Sequence, residues 1–329
     1  MKIAYSLPDR SIANEELAAL YPGWSAEKIL SKTGIARRHV AAEGETAGDL
    51  AEHAARKLFA EQGVDPLQVD FVLLCTQSPD YKLPSTACIL QHRLGIPTSA
   101  GALDYDLGCS GFVYGLSLAK GLVLGGVAKN VLLLTAETYS KYIHPMDKSV
   151  RTIFGDGAAA TLVDTAAARQ IGAFAFGTDG SGAEKLIVRT GGARAAFDSC
   201  AEEVEDASGN RRTKNNVFMS GPDIFNFTLD IVPKTMDEVC ARNGMTRDRV
   251  DLFVFHQANR FMLETIRKVN LIPRAKFYVD MEDTGNTVSS TIPIALVRAQ
   301  EKGVLGSGMK VMVMGFGVGL SWGATILTF

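Results

Sequence analysis

Cys109 has the setting that most suggests chemistry. It stands in Asp106-Leu-Gly-Cys-Ser-Gly-Phe112, between the apolar run Ala102 to Leu107 and an apolar stretch that ends near Gly125-Gly126. This pattern predicts a strand, a sharp turn at Gly108, and a helix from about Ser110. A thiol at that turn meets the unpaired N–H groups and partial positive charge of a helix N-terminus. Such a setting lowers a thiol's pKa and favours the nucleophilic thiolate, in the manner of a nucleophile elbow with Cys for Ser. A buried structural cysteine is the competing reading, and position alone does not separate the two.

His256 ends the apolar run Leu252 to Phe255 and precedes Gln257-Ala258-Asn259. A strand-end histidine can donate from its ring or exchange protons, although a lone one is more often structural. Asn286, in Thr284-Gly-Asn-Thr287, reads first as a turn residue. Its amide can also donate to an oxyanion. Cys75 and Cys88 lie in apolar stretches and read as structural, whereas Cys200 and Cys240 receive no role. Phe154-Gly-Asp-Gly157 and Phe316-Gly-Val-Gly319 lack the lysine and spacing of phosphate-binding loops. Their glycines are expected to permit close backbone approach, and the second segment can present a backbone N–H to a reacting carbonyl.

A repeat describes the elements that must position these groups. Gly63 to Cys75 and Gly244 to His256 each have Gly, then Val-Asp six and seven residues on, then four apolar residues. Both read as a helix stop, a short loop and a buried strand. Downstream, Gly108-Cys109 and Gly285-Asn286 each open an apolar helical stretch, followed by the strands Val131 to Thr135 and Val311 to Met314. These strands do not alternate, so helices are expected on both faces. The expectation is two duplicated α/β halves, residues 1–165 with the cysteine and 166–329 with His256 and Asn286. In such a pair, equivalent strand ends can meet, and ligands bind beyond the carboxyl ends of strands. Cys109 and Asn286 can then converge although 286 − 109 = 177 residues separate them. Two segments break the pattern: Gly192 to Asn216, read as a polar surface loop or hairpin, and Gly23 to Val40, read as an irregular insertion.

Composition narrows the function classes. Among 329 residues, 34 basic and 36 acidic side chains give a net charge of −2, which argues against a dedicated nucleic-acid binder. No apolar run is long enough to span a bilayer, and Pro8-Asp-Arg10 interrupts any signal-peptide core. A cytoplasmic protein is expected. Five cysteines without C-x-x-C spacing suit reduced thiols rather than a disulfide framework or zinc site. No metal or cofactor is called for.

Taken together, the motifs resemble the thiolase-like superfamily and, within it, the β-ketoacyl-acyl-carrier-protein synthase III family. The resemblance runs through Lys32-Thr-Gly-Ile-Ala-Arg-Arg-His39, Pro84-Ser-Thr-Ala-Cys88, the Cys109 segment, Phe154-Gly-Asp-Gly-Ala158, His256-Gln-Ala-Asn259, Gly285-Asn-Thr287 and Phe316-Gly-Val-Gly-Leu-Ser-Trp-Gly323, in the family's order. It implies a layered α-β-α-β-α core and a Cys109–His256–Asn286 catalytic set. Cys109 would take an acyl group from acyl-coenzyme A or acyl-carrier protein, with the backbone N–H groups of Cys109 and Val318 as oxyanion hole. A malonyl thioester would then lose CO2 and condense, its enolate held by His256 and Asn286.

The resemblance further implies a homodimer, with Leu83 reaching toward the partner's acyl pocket, and an acidic carrier protein docking on Arg260, Arg267 and Lys268. Lys28 and Lys148 occupy positions where coenzyme A-using relatives stack adenine between Trp and Arg. Lysine lacks that flat face, so carrier-bound donors or an altered coenzyme A site are expected, with Trp24 a conceivable substitute. Two function classes compete with condensation. A Cys109-dependent acyltransferase would pass the acyl group to an amine or hydroxyl without decarboxylation. A scaffold subunit should have lost part of the catalytic set, which is intact. A hydrolase would need a base for water, and none is evident.

Overall fold

A computed structural model describes the whole chain, residues 1–329. Two sheets organise it. The first has five strands in the order Lys2–Ser6, Gly157–Val163, Val131–Glu137, Phe71–Cys75 and Gly101–Tyr105. Its last three strands run parallel to one another. The second has four strands in the order Leu252–Phe255, Lys310–Gly317, Ser321–Thr328 and Ile171–Thr178, with the first pair parallel.

The missing alternation in these strands follows from the layers. Leu73 and Leu133 of the first sheet share one core with Val254, Leu252, Val311 and Val313 of the second. Between the sheets lie the helices Gly111–Leu124 and Thr291–Glu301, which contribute Phe112, Leu116, Ile292 and Leu296 to that core. The opposite face of the first sheet, with Val72, Leu74, Leu132 and Leu134, packs on the helix Ala47–Gln62. The opposite face of the second, with Phe253, Phe255, Met312 and Met314, packs on Gly221–Arg242 and Arg260–Val269. Strands buried on both faces have no polar side to show. The result is an α-β-α-β-α sandwich. Each fully buried Leu or Phe in it contributes about 1.5–3 kcal/mol.

The repeated segments fold alike. Ala47–Gln62 ends at Gly63 with φ 61°, a 3₁₀ turn follows at Pro66–Gln68, and the strand begins at Phe71. Gly221–Arg242 ends two residues before Gly244 with φ 62°, followed by a 3₁₀ turn at Arg247–Arg249 and the strand from Leu252. Glycine takes that left-handed conformation without steric cost, which is why both copies retain it.

Two expectations need refinement. Gly23 to Val40 is regular: Ser25 caps the helix Ala26–Thr33 by accepting the Lys28 N–H at 3.1 Å, and Gly34 closes it at φ 74°. The strand Arg37–His39 then pairs with Ser11–Ala13. The polar segment 192–216 does contain a hairpin, Val204–Glu205 against Arg211–Arg212. It is anchored rather than merely solvated, because Arg212 Nε lies 2.7 Å from the buried Asp147 carboxylate.

Candidate active site

Cys109 lies against the strand Lys310–Gly317 of the second sheet. The strand Gly101–Tyr105 stops two residues earlier than the apolar run suggested, and the helix starts at Gly111 with Ser110 as its N-cap. Cys109 therefore precedes the cap and is 6% exposed. Glycines let that strand approach it. A Cβ on Gly317 would stand 3.0 Å from both Cys109 Cβ and Sγ, and one on Gly315 would stand 2.4 Å from the Cys109 carbonyl oxygen. The Ser110 and Ser321 hydroxyls meet at 2.6 Å, and Ser321 donates to the Val318 carbonyl at 2.9 Å. This lock fixes the turn after Gly317 beside the helix start.

The thiolate expected from the helix N-terminus is not what the surroundings favour. Burial, followed by the charge of Glu137, pushes the Cys109 thiol up to about 12, and the N–H groups of Cys109 and Val318 offset this only in part. Glu137 is itself fully buried, and burial raises its carboxyl well above the ordinary range. Burial is the larger of the two causes. The dry environment thus outweighs the helix end.

His256 continues the strand Leu252–Phe255 and keeps its register, with its N–H bonded to the Met314 carbonyl at 2.8 Å. Its ring stands edge-on to Phe316, centroids 5.8 Å apart. Burial pulls its pKa down to about 3, so the imidazole is neutral. Thr291 Oγ1 lies 2.7 Å from His256 Nδ1. That hydroxyl also donates to the Val288 carbonyl at 3.1 Å. A ring proton on Nε2 would leave Nδ1 as an acceptor beside it. Asn286 Nδ2 is 3.5 Å from Nε2, and Asn286 Oδ1 is occupied by the Val288 N–H at 2.9 Å. At that separation, two N–H donors are better placed to share a third atom than to bond each other.

Cys109, His256 and Asn286 line one cavity of about 470 Å³. Its walls are apolar, including Phe316, Met219, Phe225 and Met262. Phe225 and Phe261 stack 5.5 Å apart, with Phe261 63% exposed at the rim. The sequence signals missed Thr291, read only as part of an apolar helix, and Glu137, hidden at the end of a strand. Neither belongs to a motif. A hydroxyl five residues after Asn286, at the start of the same helical stretch, was the available clue to Thr291.

The remaining expected site residues lie elsewhere. Val318 lines a second cavity, with its side chain against Gly108. Lys28 donates to the Gly23 carbonyl at 2.9 Å and lies over the Trp24 ring, as does Lys32. Trp24 is thus covered by the chain's own cations, which counts against its use as an adenine platform. Lys148 donates to the Ser208 carbonyl of the anchored hairpin. Arg260 pairs with Glu282 at 2.8 Å. Arg267 is 17% exposed, held by Glu264 at 3.0 Å and the Ile272 carbonyl at 3.1 Å, so its charge is already committed. Lys268 is exposed, and Leu83 stands 82% exposed on a surface loop.

The family model for the 3-oxoacyl-[acyl-carrier-protein] synthase III matches residues 103–180, and that for its C-terminal part matches 240–329. A β-ketoacyl-[acyl-carrier-protein] synthase III of Nitratidesulfovibrio vulgaris is 36% identical over 329 residues, covering 98% of this chain and 96% of the relative. A crystal structure of a 3-oxoacyl-(acyl-carrier-protein) synthase III superposes with a TM-score of 0.97 at 57% identity, covering 99% and 98% of the two chains. A 3-oxoacyl-(acyl-carrier protein) synthase of Burkholderia xenovorans LB400 gives 0.90 at 34% identity, covering 99% and 92%.

Proposed function

The chain belongs to the 3-oxoacyl-[acyl-carrier-protein] synthase III family, and from that premise we propose that it makes a 3-oxoacyl thioester in two half-reactions on Cys109. In the first, the sulfur attacks a donor thioester, and the tetrahedral oxyanion is held by the N–H groups of Cys109 and Val318. The carbon–sulfur bond to the carrier breaks, and the Cys109 proton leaves with the carrier thiol. A raised thiol pKa is compatible with this step, since the exchange needs no net base.

In the second half-reaction, a malonyl thioester enters the vacated cavity. Its carbon–carboxylate bond breaks, CO2 departs, and the bonding pair becomes an enolate. His256 Nε2–H and Asn286 Nδ2–H bind the enolate oxygen. Both donors are neutral, so they stabilise the enolate without protonating it. The carbon attacks the acyl-Cys109 carbonyl, the thiolate leaves, and a proton from solvent restores the thiol.

The observation that carries this reading is the apolar cavity shared by Cys109 and two neutral donors. An acyltransferase acting on an amine or hydroxyl would need the cysteine but not a paired enolate site. The test is product analysis with an acyl donor and a malonyl thioester labelled in its free carboxylate. Release of label as CO2, with a 3-oxoacyl product, is expected. Acyl transfer with the label retained would favour the acyltransferase.

A cytoplasmic setting and a homodimer belong to the same reading. All five cysteines are free, and no helix is long and apolar enough to cross a membrane. Gly101–Tyr105 is an edge strand with Leu103 40% exposed, near the exposed Tyr81 and Leu83. An uncovered strand edge beside apolar side chains suits pairing with a second copy. For an acidic carrier protein, the exposed Lys268 and Arg260, the latter next to the cavity-lining Asn259 and Phe261, remain the candidate contacts, with Arg267 set aside.

A further inference from the structure

One strained residue links the two groups that hold the enolate. Val288 has φ 55°, a left-handed conformation that is an outlier for a β-branched side chain. It is fully buried. Its N–H donates to Asn286 Oδ1 at 2.9 Å, which leaves the Nδ2 end of that amide facing His256 Nε2. Its carbonyl accepts from the Thr291 hydroxyl at 3.1 Å, and the same hydroxyl meets His256 Nδ1 at 2.7 Å. Asn286 directly, and His256 through Thr291, are therefore bonded to this one residue. Strain of this kind persists only where the surroundings hold it in place.

The grip comes from the end of the strand Val131–Glu137. Ser289, the residue after Val288, donates its hydroxyl to Glu137 Oε1 at 3.1 Å. Ser290 adds a second tie, with its Oγ 2.9 Å from Thr135 Oγ1 and 3.0 Å from the Thr135 carbonyl. The other bonds of Glu137 run to the chain beside the nucleophile turn. Its Oε2 accepts from the Gln77 N–H at 3.0 Å and from the Ser78 hydroxyl at 3.2 Å. Gln77 in turn abuts Gly108, where an added Cβ would stand 2.8 Å from Gln77 Oε1. A buried carboxyl is costly, and an apolar side chain would fill this strand end at less cost. What the carboxyl adds is a join between the Cys109 side of the site and the turn that carries Asn286.

We propose that Glu137 is a positioning residue for the condensation half-reaction: through Ser289 it holds the Val288 turn, and so aims the Asn286 amide at the enolate oxygen. This assignment rests on the condensing-enzyme reading. The test measures the two half-reactions separately. Decarboxylation is read as CO2 released from malonyl-pantetheine labelled in its free carboxylate. Acyl loading is read as mass gain on Cys109 with acetyl-, butyryl- and octanoyl-pantetheine. Ser289→Ala removes only the hydroxyl that meets Glu137. It should slow CO2 release about tenfold, the factor expected of one lost hydrogen bond, and leave loading within about twofold of wild type. Glu137→Met should also slow CO2 release, and the double variant should be no slower than the slower single variant, because both changes break one contact.

Unchanged CO2 release in Ser289→Ala would overturn the proposal. So would a loss of loading equal to the loss of CO2 release, which marks a merely structural residue. Single effects that multiply in the double variant would show that Glu137 does not act through Ser289. Should Glu137→Met fail to fold, as judged by thermal melting, the half-reaction split in Ser289→Ala decides alone. A wild type that loads Cys109 but releases no CO2 would instead sink the condensing-enzyme reading, and this assignment with it.

Discussion

Cys109 enters the reaction as a thiol, and this can be measured. With its pKa pushed to about 12, its alkylation by iodoacetamide should climb about tenfold per pH unit from pH 6 to 9, tracking the thiolate fraction. A plateau below pH 8 would show instead that the helix end had outweighed burial. His256 is the other group whose charge state matters, and Thr291 is the residue that meets its Nδ1. Thr291→Val keeps the shape but removes the hydroxyl bonded to Nδ1. It should lower the rate of malonyl decarboxylation about tenfold while leaving Cys109 acylation unchanged, and Thr291→Ser should restore it. Equal loss in both half-reactions would make Thr291 a merely structural residue. At this scale the sequence disclosed the reactive types but not their tuning. Cys109 and His256 were legible because each follows an apolar run, and Asn286 only through the Gly285-Asn-Thr287 motif that carries the family resemblance. Thr291 and Glu137 were not, because their significance comes from residues they meet only after folding.

At the scale of elements, the likeness of the two repeated segments was readable because its signals are local: a glycine at a helix end, a short turn, four apolar residues. The helix Ala26–Thr33 was not. It has only eight residues and mixed polarity, and its start and stop rest on Ser25 and Gly34, single residues that also suit a loop. The strand Lys310–Gly317 must press against the nucleophile turn, and glycine at 315 permits it. Gly315→Ala sets a methyl 2.4 Å from a backbone oxygen that cannot rotate away. The substitution should destabilise the fold by about 1–3 kcal/mol and lower the melting temperature. An unchanged melting temperature would mean that the strand shifts without cost.

At the scale of the whole molecule, the near-balanced charge left the partner surfaces unread. Arg267 illustrates why: its charge stands in the sequence as plainly as that of Lys268, yet Glu264 holds it. The five-layer sandwich leaves one strand edge open at Gly101–Tyr105, with Leu83 exposed on a loop of the same half. Leu83→Lys should therefore weaken self-association, shifting the protein from a dimer to a monomer in sedimentation. A monomeric wild type, or a variant as dimeric as wild type, would remove Leu83 from the interface.

The central claim is that Cys109 carries the acyl group between two carriers in one cavity. Intact-protein mass spectrometry of wild type and Cys109→Ala, after incubation with acyl-coenzyme A and acyl-carrier-protein donors, tests it most directly. The wild type should gain the mass of one acyl group, lose it when a malonyl thioester is added, and the variant should gain nothing. Wild type left unmodified by every donor, or a variant labelled to the same extent, would contradict the account.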